Sequence, residues 1–298
     1  MKLLLLGAQG QLGRALLPTL EPLGLVTPLA RQECDLENLD KLGRCVRRHA
    51  PDVIINAAAY TAVDQAEVDV DRAFKVNALA PARLAEEAER LGARFIHFST
   101  DYVFGDQQDH PWLETDQPRP LNVYGDTKLK GEAQVQAIGG DFLIFRTSWV
   151  YGAQRNNFAK TILKLALERE ELRIVNDQIG APTDTGLIAD VTARLIEHCP
   201  QVPSGIYHLA AAGQTSWYGF ACHLIEEAKR LRPDLNWRVE EILAVRTEDY
   251  ETPAQRPKNS RLDTAKLCTI LGFELPTWQH RASAQVAQIL EQISHERS

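Results

Sequence analysis

Long apolar runs are missing from this chain of 298 residues. Its opening hydrophobic stretch, Leu3 to Leu6, is too short for a signal-peptide core or a membrane span. Positive charge is also scarce. Lys and Arg number 33 against 40 Asp and Glu, and the net charge of -7 gives no footprint for nucleic acid. The cysteines (Cys34, Cys45, Cys199, Cys222, Cys268) are odd in number, scattered and never spaced C-x-x-C. That argues against a disulfide frame and for reduced thiols in a cytoplasmic protein. The eight histidines form no H-E-x-x-H and no Cys/His cluster, so no metal site is expected. His97 sits inside an apolar run and reads as a core strand residue. No internal repeat, low-complexity tract or long linker interrupts the chain.

What is present is an alternation of short apolar runs and amphipathic stretches. Lys2 to Leu6 reads as a central strand buried on both faces. Gly7-Ala8-Gln9-Gly10-Gln11-Leu12-Gly13 follows directly, then a helical stretch to about Leu20. Strand, glycine turn and helix together form the opening of a dinucleotide-binding unit, in which glycines let the backbone approach a pyrophosphate at the helix N-terminus. The spacing is G-x-x-G-x-x-G. A second strand, Leu25 to Leu29, ends at Ala30-Arg31. An acidic residue there would bind a ribose hydroxyl and favour NAD, whereas an Arg accommodates a 2'-phosphate. Arg31 therefore points to NADPH, with NADH as the alternative, and Asp35 remains able to contact the adenosine side.

Further strands fit Asp52 to Asn56, Phe95 to Ser99, Phe142 to Arg146, Leu172 to Val175 and Ile206 to Leu209. Helices fit 38–49, 69–77, 81–91, 157–169, 184–198, 217–230 and 279–293. The small residues Ala57-Ala58-Ala59 allow a ligand to lie against the backbone. This pattern predicts an α/β fold, a Rossmann-type doubly wound parallel sheet with a smaller C-terminal substrate-binding domain. Residues 1–148 and 172–212 are assigned to the dinucleotide-binding half, and 149–171 and 213–298 to the other.

The chemistry centres on Tyr124-Gly125-Asp126-Thr127-Lys128. A helix starting near Asn122 puts Tyr124 and Lys128 on one face, four residues apart. The ammonium is expected to lower the Tyr pKa and make the phenol a proton donor near neutral pH. Thr100, at the end of a strand, can hydrogen-bond a carbonyl oxygen and orient it for the Tyr.

The glycine turn, Thr100, and Tyr124 with Lys128 occur in the order found in the extended short-chain dehydrogenase/reductases, which the chain resembles over its whole length. More narrowly, Asn56 to Asp64, Ser99 to Phe104, Asn122 to Lys128, Arg146 to Tyr151, Asn176 to Thr183 and Arg256 to Leu262 resemble the dTDP-4-dehydrorhamnose reductase family. The resemblance implies NADPH-dependent reduction of the C4 keto group of dTDP-4-dehydro-L-rhamnose, within dTDP-rhamnose and cell-surface polysaccharide biosynthesis. In that family the positions matching Gly10, Gln11, Leu12, Asp35, Leu36, Ala59, Tyr60, Thr61 and Phe98 line the cofactor. Those matching Thr100, Asp101 and Trp149 contact the sugar nucleotide, and Lys128 holds the nicotinamide ribose. Arg256, Lys258 and Arg261 are the candidates for the substrate diphosphate. Some members dimerise around magnesium; two of those acidic positions are here Ala15 and Gly186, so a monomer or weak homodimer without metal is expected. A related 4-epimerase, another sugar-nucleotide reductase, or a binding protein like the regulatory subunit of methionine adenosyltransferase are the alternatives. A 4,6-dehydratase would need an acidic pair where Asp101 is followed by Tyr102.

Overall fold

The computed structural model describes residues 1–198 and 201–297, so Cys199 lies outside the described residues. Strand β1 (Lys2–Leu6) leads through the glycine turn into helix α1 (Gln11–Leu20), followed by β2 (Leu25–Leu29), α2 (Leu39–His49) and β3 (Val53–Asn56). Next come α3 (Ala80–Leu91), β4 (Arg94–Thr100), α4 (Val123–Ile138), β5 (Phe142–Thr147), α5 (Phe158–Ala166) and β6 (Glu171–Val175). The last long elements are α6 (Thr185–Glu197), β7 (Gly205–His208), α7 (Trp217–Leu231), β8 (Glu241–Val245) and α8 (Trp278–Arg297).

Six strands form one all-parallel sheet in the order β7-β5-β4-β3-β1-β2. Its strands are apolar throughout because both faces are covered. Leu3, Leu5, Val53, Ile55, Ile96, Phe98, Leu143 and Phe145 pack on one side with α1, α6 and residues of α8. Leu4, Leu6, Ile54, Phe95 and Ile144 pack on the other with α2, α3 and Val135 of α4. Alternate side chains of a strand point to opposite faces, which assigns each Leu of β1 to one core or the other. The chain passes to β2 on one side of β1 and to β3 on the other. That divergence opens a crevice at the carboxyl ends of the two strands.

β6 departs from the expected grouping. It lies outside the central sheet and pairs in parallel with β8. The helix expected over 69–77 breaks into Val70–Phe74 and a wider π turn, Lys75–Leu79. Asn77 in that turn is buried, accepts from the Tyr60 N–H at 2.9 Å and donates to the Tyr60 carbonyl at 3.1 Å. Such turns often accompany functional sites, and this one holds backbone at the crevice edge. Among the described residues no helix is long and apolar enough to cross a membrane.

Candidate active site

The crevice is a cavity of about 770 Å³, within the range of small-molecule and cofactor sites. Its floor is the glycine turn. Gly7 has a φ of +74°, and a Cβ there would come within 2.8 Å of the Ala58 nitrogen. Gly13 lies behind the turn, where a Cβ would stand 2.2 Å from the Gly7 carbonyl oxygen, so it supports the loop without lining the cavity. Gly10 caps α1 with extended backbone and no capping side chain, leaving N–H groups at the helix start for an anion. This cradle fits a dinucleotide pyrophosphate.

Gly7, Gly10, Gln11, Leu12, Arg31, Asp35, Leu36, Ala59, Tyr60, Thr61, Phe98, Thr100, Asp101, Tyr124, Lys128 and Trp149 all line this one cavity. Arg256, Lys258 and Arg261 do not. Arg256 pairs with Asp64 at 2.8 Å, and Lys258 reaches Asp177 at 3.7 Å. Arg261 donates to the Asn259 side chain and to the Asp109 carbonyl. This segment ties loops together, as when Asn122 donates to the Gln255 carbonyl at 2.8 Å. Arg31 reaches the cavity wall but pairs with Glu37 and lies 3.7 Å from Asp35, while Arg72 also donates to Glu37 at 2.9 Å.

Helix α4 starts as the sequence predicts. Asn122 is extended and accepts from the Gly125 N–H at 2.8 Å. Tyr124 therefore falls in the first turn, half-buried, with Lys128 one turn on and 1% exposed. The Thr100 hydroxyl donates to Asp101 at 3.1 Å and accepts from the Tyr102 N–H at 3.2 Å, and it lines the same cavity as the Tyr124 phenol. Tyr102 meets the Tyr124 ring edge-on, with centroids 5.7 Å apart.

The electrostatics correct one expectation. Burial pushes the Tyr124 phenol up to about 12, against a smaller downward pull from the Thr100 hydroxyl. Lys128 does not lower it. Its amine is engaged elsewhere, with the Phe98 carbonyl at 2.6 Å and His97 Nε2 at 3.0 Å. Burial brings Lys128 itself down to about 8, although Glu132 favours its charged form. Asp101 rises to about 7 through burial, held back by the Ser260 and Thr100 hydroxyls. A phenol kept protonated beside a hydrogen-bonding Thr can still deliver a proton to a developing alkoxide.

Sequence reasoning missed several neighbours. Trp217 stacks on Trp149 at 3.6 Å, and both line the cavity. Trp149 holds a φ of +48°, a strained conformation for a bulky residue and a mark of functional loops. Arg155 donates twice to the Gln9 carbonyl, and Asn157 donates to Gln11 Oε1 at 2.7 Å, latching a loop onto the glycine turn. No local motif signals these contacts; a helical Trp and a loop Arg have ordinary surroundings in sequence. Among the described residues no cluster of three or more His, Cys, Asp or Glu could hold a metal ion.

A doubly wound sheet, a glycine turn at its first strand, and Thr, Tyr and Lys converging on one crevice define a protein of the short-chain dehydrogenase/reductase class. Residues 1–291 match the RmlD substrate binding domain family, and the chain belongs to it. It is 47% identical over 285 residues to a Shigella flexneri protein named dTDP-4-dehydrorhamnose reductase, covering 94% of this chain and 95% of that one. The Burkholderia thailandensis protein of the same name is 45% identical, covering 98% and 100%. The solved dTDP-4-dehydrorhamnose reductase of Bacillus anthracis, in complex with NADP, superposes with a TM-score of 0.88 at 34% identity, covering 96% and 99%.

Proposed function

We propose that the chain reduces the C4 keto group of dTDP-4-dehydro-L-rhamnose to give dTDP-L-rhamnose, with NADPH as donor and NADH as the alternative. The observation that carries the reading is that Thr100, Tyr124 and Lys128 open together into the cavity that contains the glycine turn. The names of the relatives and the NADP bound to the Bacillus anthracis protein support it. The bound nicotinamide supplies hydride. Gly7, Gly10, Gln11 and Leu12 hold the pyrophosphate; Arg31, Asp35 and Leu36 hold the adenosine end; Ala59, Tyr60, Thr61, Phe98 and Lys128 hold the nicotinamide end. Thr100 orients the carbonyl, Tyr124 gives its phenolic proton to the carbonyl oxygen, and Lys128 in its charged form steadies the phenolate that remains. Asp101 and Trp149 contact the sugar.

Residues 149–171 and 213–298 supply the sugar-nucleotide side. Arg256, Lys258 and Arg261 serve the diphosphate only by leaving their present partners. The chain works in the cytoplasm as a monomer or weak dimer without magnesium. At Gly186 a side chain would meet the Arg281 guanidinium at 2.8 Å and the Asp184 carboxylate at 2.9 Å, two groups that already pair with each other. The test is a spectrophotometric screen of dTDP-keto sugars against both reduced nicotinamides. Oxidation of one equivalent of cofactor per 4-keto sugar is expected. No oxidation, or purified protein that retains NAD and interconverts epimers, would overturn the reading.

A further inference from the structure

His97 lies at the back of the site, 1% exposed, with a partner on each ring nitrogen. On one side Nδ1 faces the Asn56 amide nitrogen at 3.2 Å. The orientation of that amide is fixed by a third group, because Asn56 Oδ1 accepts from the Ala58 N–H at 3.2 Å. The amide nitrogen can only donate, so Nδ1 must accept, and the neutral ring carries its proton on Nε2. That N–H points at Lys128 Nζ, 3.0 Å away. An ammonium has three N–H groups and no lone pair, whereas a neutral amine can accept from His97 and donate to the Phe98 carbonyl at 2.6 Å. The hydrogen-bond directions are mutually consistent only with the amine.

We infer that His97 is a positioning residue which, oriented by Asn56, presents an N–H to Lys128 and so disfavours its charged form. To charge Lys128, His97 must move its proton to Nδ1 and Asn56 must turn its amide, giving up the bond from Ala58. The burial of Lys128 acts in the same direction. The other groups around it are Glu132 on its own helix, which favours the charged form and is itself tied to Arg146 of β5. Tyr124, Tyr102 and Asp101 share its cavity, and the π turn packed on α4 presents the uncharged Asn77 to neighbouring Thr127. In the reduction proposed above, on which this consequence rests, charged Lys128 becomes the minority form above about 8 and turnover has an alkaline limb there.

The test is nitrogen NMR of the His97 ring and a side-chain NMR titration of Lys128, in the wild-type chain and in Asn56→Asp. A carboxylate at position 56 still accepts from Ala58 but also accepts from Nδ1–H, so the ring turns its lone pair to Lys128. The wild-type ring should carry its proton on Nε2, and Lys128 should titrate about one unit higher, or more, in Asn56→Asp. His97→Gln, which can offer a carbonyl oxygen to Nζ, should shift Lys128 the same way and covers the case of a misfolded Asn56→Asp. A wild-type proton on Nδ1, or an unmoved Lys128 titration in the folded variant or variants, would overturn the inference. These readouts need no turnover. If they hold while every keto sugar fails, the reductase reading falls and this one stands.

Discussion

Replacing Glu132 by Leu should be among the most damaging changes that touch no ligand. Glu132 and Arg146 are 0% and 2% exposed along their side chains, and the guanidinium donates to the carboxylate at 3.0, 3.2 and 2.6 Å. Ser99 also donates to it. The pair locks α4 to β4 and β5, one helical turn beyond Lys128 and one residue before Thr100. Removing one partner strands the other's charge, at a cost of about 3–5 kcal/mol. The Phe104 ring beneath the guanidinium, 4.9 Å away, offsets only part of that. For a chain of this length, unfolding as one unit, this is a fall in Tm of roughly 5–8 °C. The double variant Glu132→Leu, Arg146→Met should recover most of the loss, because an apolar pair of similar volume removes the buried charge altogether. Thermal melts and kcat on the three proteins decide the matter. Stability should return in the double variant while kcat stays down, since a site displaced by about 1 Å loses about 10²-fold. If Glu132→Leu alone melts within a degree or two of wild type, the buried pair is not what fixes α4 against the sheet.

Tyr124→Phe should lower kcat by about 10² to 10⁴ with cofactor binding retained, and wild-type turnover in that variant would end its assignment as proton donor. Glu37→Gln should raise the NADPH-to-NADH ratio of kcat/KM by releasing Arg31 and Arg72, and Arg31→Asp should lower it; a ratio unmoved by both makes Arg31 a surface residue only. Asp101 carries a folded-state pKa of about 7 against an ordinary 3.8, so the folded chain holds its proton longer than the unfolded chain does. Its contribution to stability is full below 3.8, diminishes as pH rises and is lost on passing about 7. Asp101→Asn should flatten that part of the stability profile, measured by urea unfolding across pH. Activity should survive EDTA, and loss restored by magnesium would show that the metal is needed after all.

The sheet was legible because its strands are buried on both faces and therefore written as plain apolar runs. The start of α4 was legible because Asn122 caps it, which set Tyr124 and Lys128 in their correct turns. β6 was harder. Alternating Glu171, Leu172, Arg173 and Ile174 mark a strand with one covered face, but nothing local says that its partner is Glu241–Val245, some seventy residues on. The three basic residues near 256–261 show the same limit. Composition makes them candidates for a diphosphate, and only three-dimensional contacts show Asp64, Asn259 and the Asp109 carbonyl already holding two of them.

Lys128 shows why spacing fixes a position and leaves the chemistry open. Four residues along a helix bring it to the same face as Tyr124, which was readable, and invite the conclusion that the charge lowers the phenol. But a lysine amine sits at the end of four methylenes, and its nearest partners come from strand β4, one at Phe98 and one at His97. Those partners, with burial, decide whether there is a charge at all. The sequence places His97 three residues before Thr100, among apolar neighbours, where it looks like filling for a buried strand. It is filling, being 1% exposed, and it is also the ring whose proton position fixes what Lys128 can accept. A residue can thus be core by burial and functional by hydrogen-bond direction. Only the second property distinguishes it from Ile96 and Phe98 on either side of it in β4.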